Sequence, residues 1–280
     1  MRKHHRGGDG RVVLITGGSR GIGRVTAERL ARNGWRVFAA ARDAPSEPTA
    51  ESGDAVVRVH ADVRDPASIE GTVGAILTMT SGRLDAVVAN AGIAAVGTFE
   101  DTPADVMSDL MKTNYFGVLN TARAALPALR ASHGRLVVVS SDSGVYGSPG
   151  LSGYSASKFA VEGWAESVYY ELRRAGVRVS IVRPGAFRTT IWQSQIYGSN
   201  AGPSRELAQK LASNWRAAAD RAADPAVVAG AVERALADRS PRLRYTVGRD
   251  ARTAVALRRA CPDAVFARVV ERWAGLSRDR

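Results

Sequence analysis

Arg11-Val12-Val13-Leu14-Ile15-Thr16-Gly17-Gly18-Ser19-Arg20-Gly21-Ile22-Gly23 is the stretch whose reading decides the fold of this 280-residue chain. Its first half is a short, nearly continuous apolar run, the pattern of a strand buried on both faces. Ile22 to Asn33 then carries helical spacing of Val25 and Leu30, and Gly34 stops it. Between them lies a glycine loop. Glycine permits tight backbone turns and the close approach of a ligand, while a helix start offers unsatisfied N–H groups and the positive end of its dipole to an anion. Any tight turn uses glycine, so the weight comes from the context. A strand, loop and helix in this order at the first crossover predict a dinucleotide phosphate cradle.

Working outward, further strands are expected at 35–41, 55–59, 84–89, 135–140, 177–182 and 243–247. Helices are expected at 66–80, 103–130, 153–175 and 225–237, with amphipathic helices filling 250–274. Pro127 is expected to end or bend the long 103–130 helix. The stretch 186–223 reads as irregular and spotted with aromatics. Strand and helix alternate throughout, which predicts an α/β fold: a Rossmann-type doubly wound parallel sheet of about seven strands with helices on both faces. Right-handed crossovers then bring the strand C-termini to one edge, where ligands bind at the switch in strand order. Residues 11–280 read as a single domain, preceded by a basic, glycine-rich tail (1–10) expected to be disordered.

Composition narrows the function. Hydrophobic residues make up 45% of the chain, and no run approaches the roughly 18–20 apolar residues of a membrane span. The first ten residues lack the apolar core of a secretory signal. Cys261 is the only cysteine, and His4, His5, His60 and His133 form no ligand spacing, so no metal is expected. A cytoplasmic location fits this usage. The net charge of +12 raises the question of nucleic acid. The basic residues scatter rather than cluster, and no nucleic-acid-binding motif appears, so no such partner is expected. Of 39 basic residues only Lys3, Lys112, Lys158 and Lys210 are lysines, which singles out a lysine at position 158.

Lys158 lies four residues after Tyr154, on the same face of the predicted helix one turn along. A cation beside a phenol favours the phenolate and draws its pKa down from about 10. Such a tyrosine can pass a proton to or from a substrate oxygen. Ser141, thirteen residues before Tyr154, follows the fifth strand and can hydrogen-bond the same oxygen. Ser140 and Ser143 are alternative donors.

Thr16-Gly17-x-x-x-Gly21-x-Gly23, Asn90-Ala91-Gly92, Asn114, Ser141, Tyr154-x-x-x-Lys158 and Pro184-Gly185 occur in this order at compatible strand ends. Together they resemble the short-chain dehydrogenase/reductase family over roughly residues 10–250. The resemblance implies that Tyr154 is the general acid/base, that Ser141 steadies the substrate oxygen, and that Lys158 holds the nicotinamide ribose and tunes Tyr154. It further implies that Asn114 supports a water joining Lys158 to solvent. Cofactor contacts are implied at Gly17, Ser19, Arg20, Gly21, Ile22 and Gly23 in the loop, at Asp62 and Val63 beside adenine, and at Asn90, Ala91 and Gly92. Tyr154, Lys158, Pro184, Gly185, Phe187 and Thr189 complete the implied set near the nicotinamide.

The second strand ends in Ala41, where an acidic residue would bind a ribose 2′-hydroxyl, and Arg42 follows. With Arg20 in the loop, two guanidinium groups suit a 2′-phosphate, which favours NADP(H) over NAD(H). Phe187, Ile191, Trp192, Ile196, Tyr197, Leu207, Leu211 and Trp215 make 186–223 an apolar candidate lid, and Val145, Tyr146 and Leu151 lie near the reacting centre. All of these also suit the core. The expected substrate is a hydrophobic ketone or secondary alcohol. Tyr154 to Gly163 and Arg244 to Ala251 look like the retinol and hydroxysteroid dehydrogenase branch. Resemblance to the family also implies a homodimer or homotetramer through the helices near 103–130 and 153–175. The rival readings are a non-catalytic NADP-binding redox sensor, a nucleic-acid-binding module, and an epimerase or dehydratase on the same fold.

Overall fold

The computed structural model describes residues 10–45, 47–49, 56–193 and 204–276. Seven strands, β1 (Val12–Thr16), β2 (Arg36–Ala41), β3 (Val56–His60), β4 (Ala86–Ala89), β5 (Arg135–Val139), β6 (Arg178–Pro184) and β7 (Arg244–Val247), form one sheet in the order β3-β2-β1-β4-β5-β6-β7. Every pairing is parallel. The order reverses between β1 and β4, which opens a crevice at their C-terminal ends.

The alternation of strand side chains explains the layers. In β1, Val12 and Leu14 point into one core and Val13 and Ile15 into the other. The first core is closed by α2 (Pro66–Met79), α4 (Gly117–Ala131) and α5 (Ser152–Arg173), through Ile69, Val73, Ala125 and Val161. The second is closed by α1 (Gly21–Arg32) and α7 (Ala226–Ala237), through Leu30, Val228 and Val232. Both faces of the five inner strands are buried, which is why they read as nearly continuous apolar runs, whereas the edge strands β3 and β7 are only partly covered. The start of α2 is fixed by Asp65, whose carboxylate accepts from the Ala67 N–H at 3.0 Å, with Pro66 in the first turn.

Three expectations need correction. The 103–130 helix is divided into α3 (Ala104–Met111), a π turn (Lys112–Phe116) and α4, and the turn carries the buried Asn114. Pro127 does not end α4, which continues to Ala131. Pro127 and Arg123, whose carbonyl loses its partner, both lie exposed, so water can satisfy that carbonyl while Ala125, Ala128 and Leu129 hold the helix in the core. The stretch 186–223 is not wholly irregular, because α6 spans Arg205–Asp220. Beyond it, α8 (Arg249–Ala260) and α9 (Asp263–Ala274) follow β7. The expected disordered tail at 1–9, Ile196, Tyr197 and the Trp192 side chain lie outside the described residues.

Candidate active site

A cavity of about 1220 Å³ runs along the C-terminal edge of the sheet. One end is built from the glycine loop. Gly17 and Gly21 have φ of +67° and +55°, in the left-handed region that glycine enters without strain. A Cβ on Gly17 would stand 2.9 Å from Ala91 Cα, so the loop and the turn after β4 meet backbone to backbone. Asn90 locks that contact: its amide nitrogen donates to the Thr16 and Gly17 carbonyls at 3.0 and 3.2 Å. Thr16 Oγ1 in return accepts from the Asn90 and Ala91 N–H groups. α1 begins at Gly21 with no side-chain cap and no acidic residue in its first turn. An uncapped helix start beside a cavity fits an anion such as a pyrophosphate.

Gly17, Ser19, Arg20, Gly21 and Ile22 line the cavity, but Gly23 does not. A Cβ on Gly23 would collide with the Gly17 carbonyl and sit 2.6 Å from the Asn90 amide nitrogen. Its place in the motif is thus explained by packing rather than by ligand contact. Gly23→Ala is expected to cost about 1–3 kcal/mol of stability by overpacking. It should also loosen the cradle; a thermal melt and a cofactor titration would show the two losses together.

The same edge gathers Arg42, Asp62, Val63, Asn90, Ala91 and Gly92. Asp62 is gripped by Arg64 at 2.6 Å, and this bond holds its carboxyl below the ordinary range. Arg64 was not singled out in the sequence, yet it stands with Arg20 and Arg42 along this end. Pro184, Gly185, Phe187 and Thr189 line the middle.

At the deep end, Ser141 follows β5 while Tyr154 and Lys158 project from the first turns of α5. Their exposures are 7%, 9% and 4%, and all three line the cavity. Lys158 Nζ donates to the Val139 carbonyl at 3.1 Å and stands 5.7 Å from the centre of the Tyr154 ring. The expected drop of the phenol pKa is not realised in the chain alone. Burial pushes Tyr154 up to about 12; a hydrogen bond with Ser141 works against this, and the charge of Asp142 adds to it. Burial also pulls Lys158 down to about 8, with Glu162 opposing. Dehydrating the phenolate costs more than the Ser141 hydrogen bond returns.

Asn114 is fully buried and lies outside the cavity wall. Its amide nitrogen donates to Ile93 O and Ser157 Oγ, both at 2.9 Å, and its oxygen accepts from Ile93 N at 2.8 Å. Ser157 Oγ donates to the Tyr154 carbonyl at 2.7 Å. Asn114 therefore ties the loop after β4 to the turn that carries Tyr154.

The apolar candidates divide. Tyr146, Phe187, Ile191 and Trp215 reach the cavity, whereas Leu151 and Leu211 are core residues. The sequence reading did not place Leu257 of α8 or Phe266, Val269, Val270 and Trp273 of α9 in the wall. Trp273 meets the Trp215 ring edge to face at 5.0 Å, which brings α9 onto α6 over the cavity. Asp142 and Asp250 were also missed. Asp250 accepts from Ala186 N at 2.9 Å, and its carboxylate occupies the space a Cβ on Gly185 would need.

Comparison with known proteins places these features. Residues 11–200 match the family described as short chain dehydrogenase. The 3-ketodihydrosphingosine reductase of Bacteroides thetaiotaomicron is 35% identical over 201 residues, 71% of this chain and 72% of its own length. A solved short-chain dehydrogenase from Streptomyces avermitilis superposes with a TM-score of 0.80 at 32% identity, covering 95% of this chain and 96% of that one. A short chain dehydrogenase/reductase from Burkholderia phymatum, solved in complex with NAD, gives 0.76 at 26% identity, covering 90% and 93%.

Proposed function

Since the chain belongs to the short chain dehydrogenase family of oxidoreductases, we propose that it is an NADP(H)-dependent enzyme interconverting a hydrophobic ketone and its secondary alcohol. The observation that carries the reading is the meeting of Ser141, Tyr154 and Lys158, all buried, in the cavity that also holds the uncapped start of α1. When bound, the nicotinamide supplies the hydride to the carbonyl carbon, or accepts it from the alcohol. In reduction, Tyr154 delivers its phenolic proton to the carbonyl oxygen and Ser141 donates a hydrogen bond to that oxygen. In the chain alone burial keeps the phenol protonated, so the proton that reduction needs is in place. Lys158, buried beside Tyr154, would hold the nicotinamide ribose through its ammonium. Asn114 positions the Tyr154 turn. Burial of the site excludes water from the transfer.

The arginines at 20, 42 and 64 support NADP(H) over NAD(H), because a 2′-phosphate rewards guanidinium forks and no acidic residue ends β2. The apolar wall from Phe187, Trp215, Phe266 and Trp273 supports a lipophilic substrate of the retinoid or steroid kind, with 186–223 as a lid. The Bacteroides relative is itself named for a keto compound. Exposed Phe116, Phe159 and Tyr170 on the π turn and α5 support a homo-oligomer through these helices. Among the described residues no helix is long and apolar enough to cross a membrane. A cytoplasmic location and no nucleic-acid partner complete the proposal.

A panel of hydrophobic ketones and secondary alcohols, followed by NADPH and NADH absorbance side by side, tests it. Turnover with NADPH is expected; turnover only with NADH would overturn the cofactor assignment, and none with either would overturn the reading. Arg42→Ala should weaken NADPH binding about 10- to 100-fold, the worth of one charged hydrogen bond, and leave NADH nearly unchanged. Fluorescence titration of both coenzymes measures this.

A further inference from the structure

Asp142 follows Ser141 directly and opens the short helical turn Asp142–Gly144. Its Oδ1 accepts from Ser141 Oγ at 3.0 Å and from Ser143 N at 2.9 Å, and its Oδ2 accepts from the Tyr146 hydroxyl at 2.8 Å. Both Asp142 and Tyr146 line the cavity, and the Tyr146 ring meets Phe266 of α9 edge to face at 5.5 Å. A hydroxyl has one proton. In this arrangement the proton that Ser141 would offer a carbonyl oxygen is directed to a neighbouring carboxylate, and the Tyr154 oxygen, which also shares a hydrogen bond with Ser141, is a second claimant.

We infer that Asp142 is a positioning residue for Ser141: its ionised carboxylate competes with the substrate oxygen for the single Ser141 hydroxyl proton, so the site engages a carbonyl best when Asp142 is protonated. Tyr146 takes part by donating to the far oxygen, which favours the ionised form and links the competition to the helix over the cavity. The inference rests on the carbonyl-reducing reading of the site. Three elements pack against the Asp142 turn. α5 carries Tyr154, Lys158 and Glu162. β6 carries Arg183, which is ion-paired to Glu162. α8 carries Arg249 and Asp250. Burial and Asp250 oppose ionisation of Asp142, while the donors Tyr146, Ser141 and Ser143 favour it; the balance raises its pKa above the ordinary carboxylate value. This moves the competition to higher pH than an ordinary aspartate would allow.

Two measurements test the inference. The first follows the side-chain carboxyl of Asp142 by carbon-13 NMR against pH, assigned by its loss in Asp142→Asn. Ser141→Ala and Tyr146→Phe each remove a donor to the ionised form, so each is expected to raise the titration midpoint. The second is the pH profile of kcat/KM for ketone reduction. The wild type should fall about tenfold as Asp142 ionises, the worth of one hydrogen bond. Tyr146→Phe should move that fall to higher pH, and Asp142→Asn, which keeps the volume, should abolish it. A midpoint unmoved by Ser141→Ala, or a fall that persists in Asp142→Asn at the pH of the wild-type Asp142 midpoint, overturns the inference. Absence of turnover with every ketone would instead sink the functional reading, while the carboxyl titration still decides the role of Asp142.

Discussion

Tyr154→Phe is expected to reduce turnover by ~10²–10⁴-fold, the range supplied by a positioned general acid. The variant keeps the ring and loses only the hydroxyl. The ring packs with Ala94, Val96, Leu110 and Leu151, so the fold should survive. The glycine loop, Asn90 and the start of α1 owe nothing to the phenol, so coenzyme affinity should hold within a few fold. Steady-state kinetics on the best substrate, paired with coenzyme titration, separates the two quantities. Near-native turnover in Tyr154→Phe would show that another group moves the proton. Loss of coenzyme binding together with turnover would show that the residue is structural.

The second large effect concerns stability. Arg183 on β6 meets Glu162 on α5 in a two-pronged ion pair, Nε to Oε1 at 2.7 Å and Nη2 to Oε2 at 2.6 Å. The two side chains are 6% and 7% exposed. Arg244 on β7 lies 3.6 Å from the same carboxylate and bonds Glu166 at 2.7 Å. Arg183→Ala strips the buried carboxylate of its principal partner and is expected to cost about 3–5 kcal/mol. Replacing both members with leucine should recover most of that loss, because no buried charge then remains unpaired. Urea denaturation of the single and double variants measures the difference. A single variant as stable as the wild type would mean that Arg244 alone can hold Glu162. The pair ties the helix bearing Tyr154 and Lys158 to the sheet, so its loss should also lower activity near the midpoint of unfolding.

Much of the fold was legible in the chain because its evidence is local. Five-residue apolar runs such as Val12–Thr16 mark strands buried on both faces, and glycine at 17, 21 and 34 marks positions with positive φ. The Tyr154–Lys158 spacing placed both side chains on one face of α5, since one helical turn fixes which side chains are neighbours. Asp142 and Tyr146 also carry a four-residue spacing, but they fall in a turn and loop where no regular period links spacing to contact. The π turn at Asn114 and the passage of α4 through Pro127 escaped notice because each depends on what surrounds it. Asn114 is held by Ile93, 21 positions away, and Pro127 is tolerated because it faces solvent.

From the sequence by itself came the parallel α/β architecture, the glycine loop between β1 and α1, and the pairing of Tyr154 with Lys158 on one helix face, because periodicity and glycine placement are properties of neighbours along the chain. Only the tertiary structure decided that residues of α8 and α9 join the cavity wall, that Arg64 lines it together with Arg20 and Arg42, and that burial in the chain alone raises the Tyr154 pKa instead of lowering it. Burial and electrostatic balance are set by groups distant in sequence that meet only once the sheet has formed, and no spacing along the chain records them.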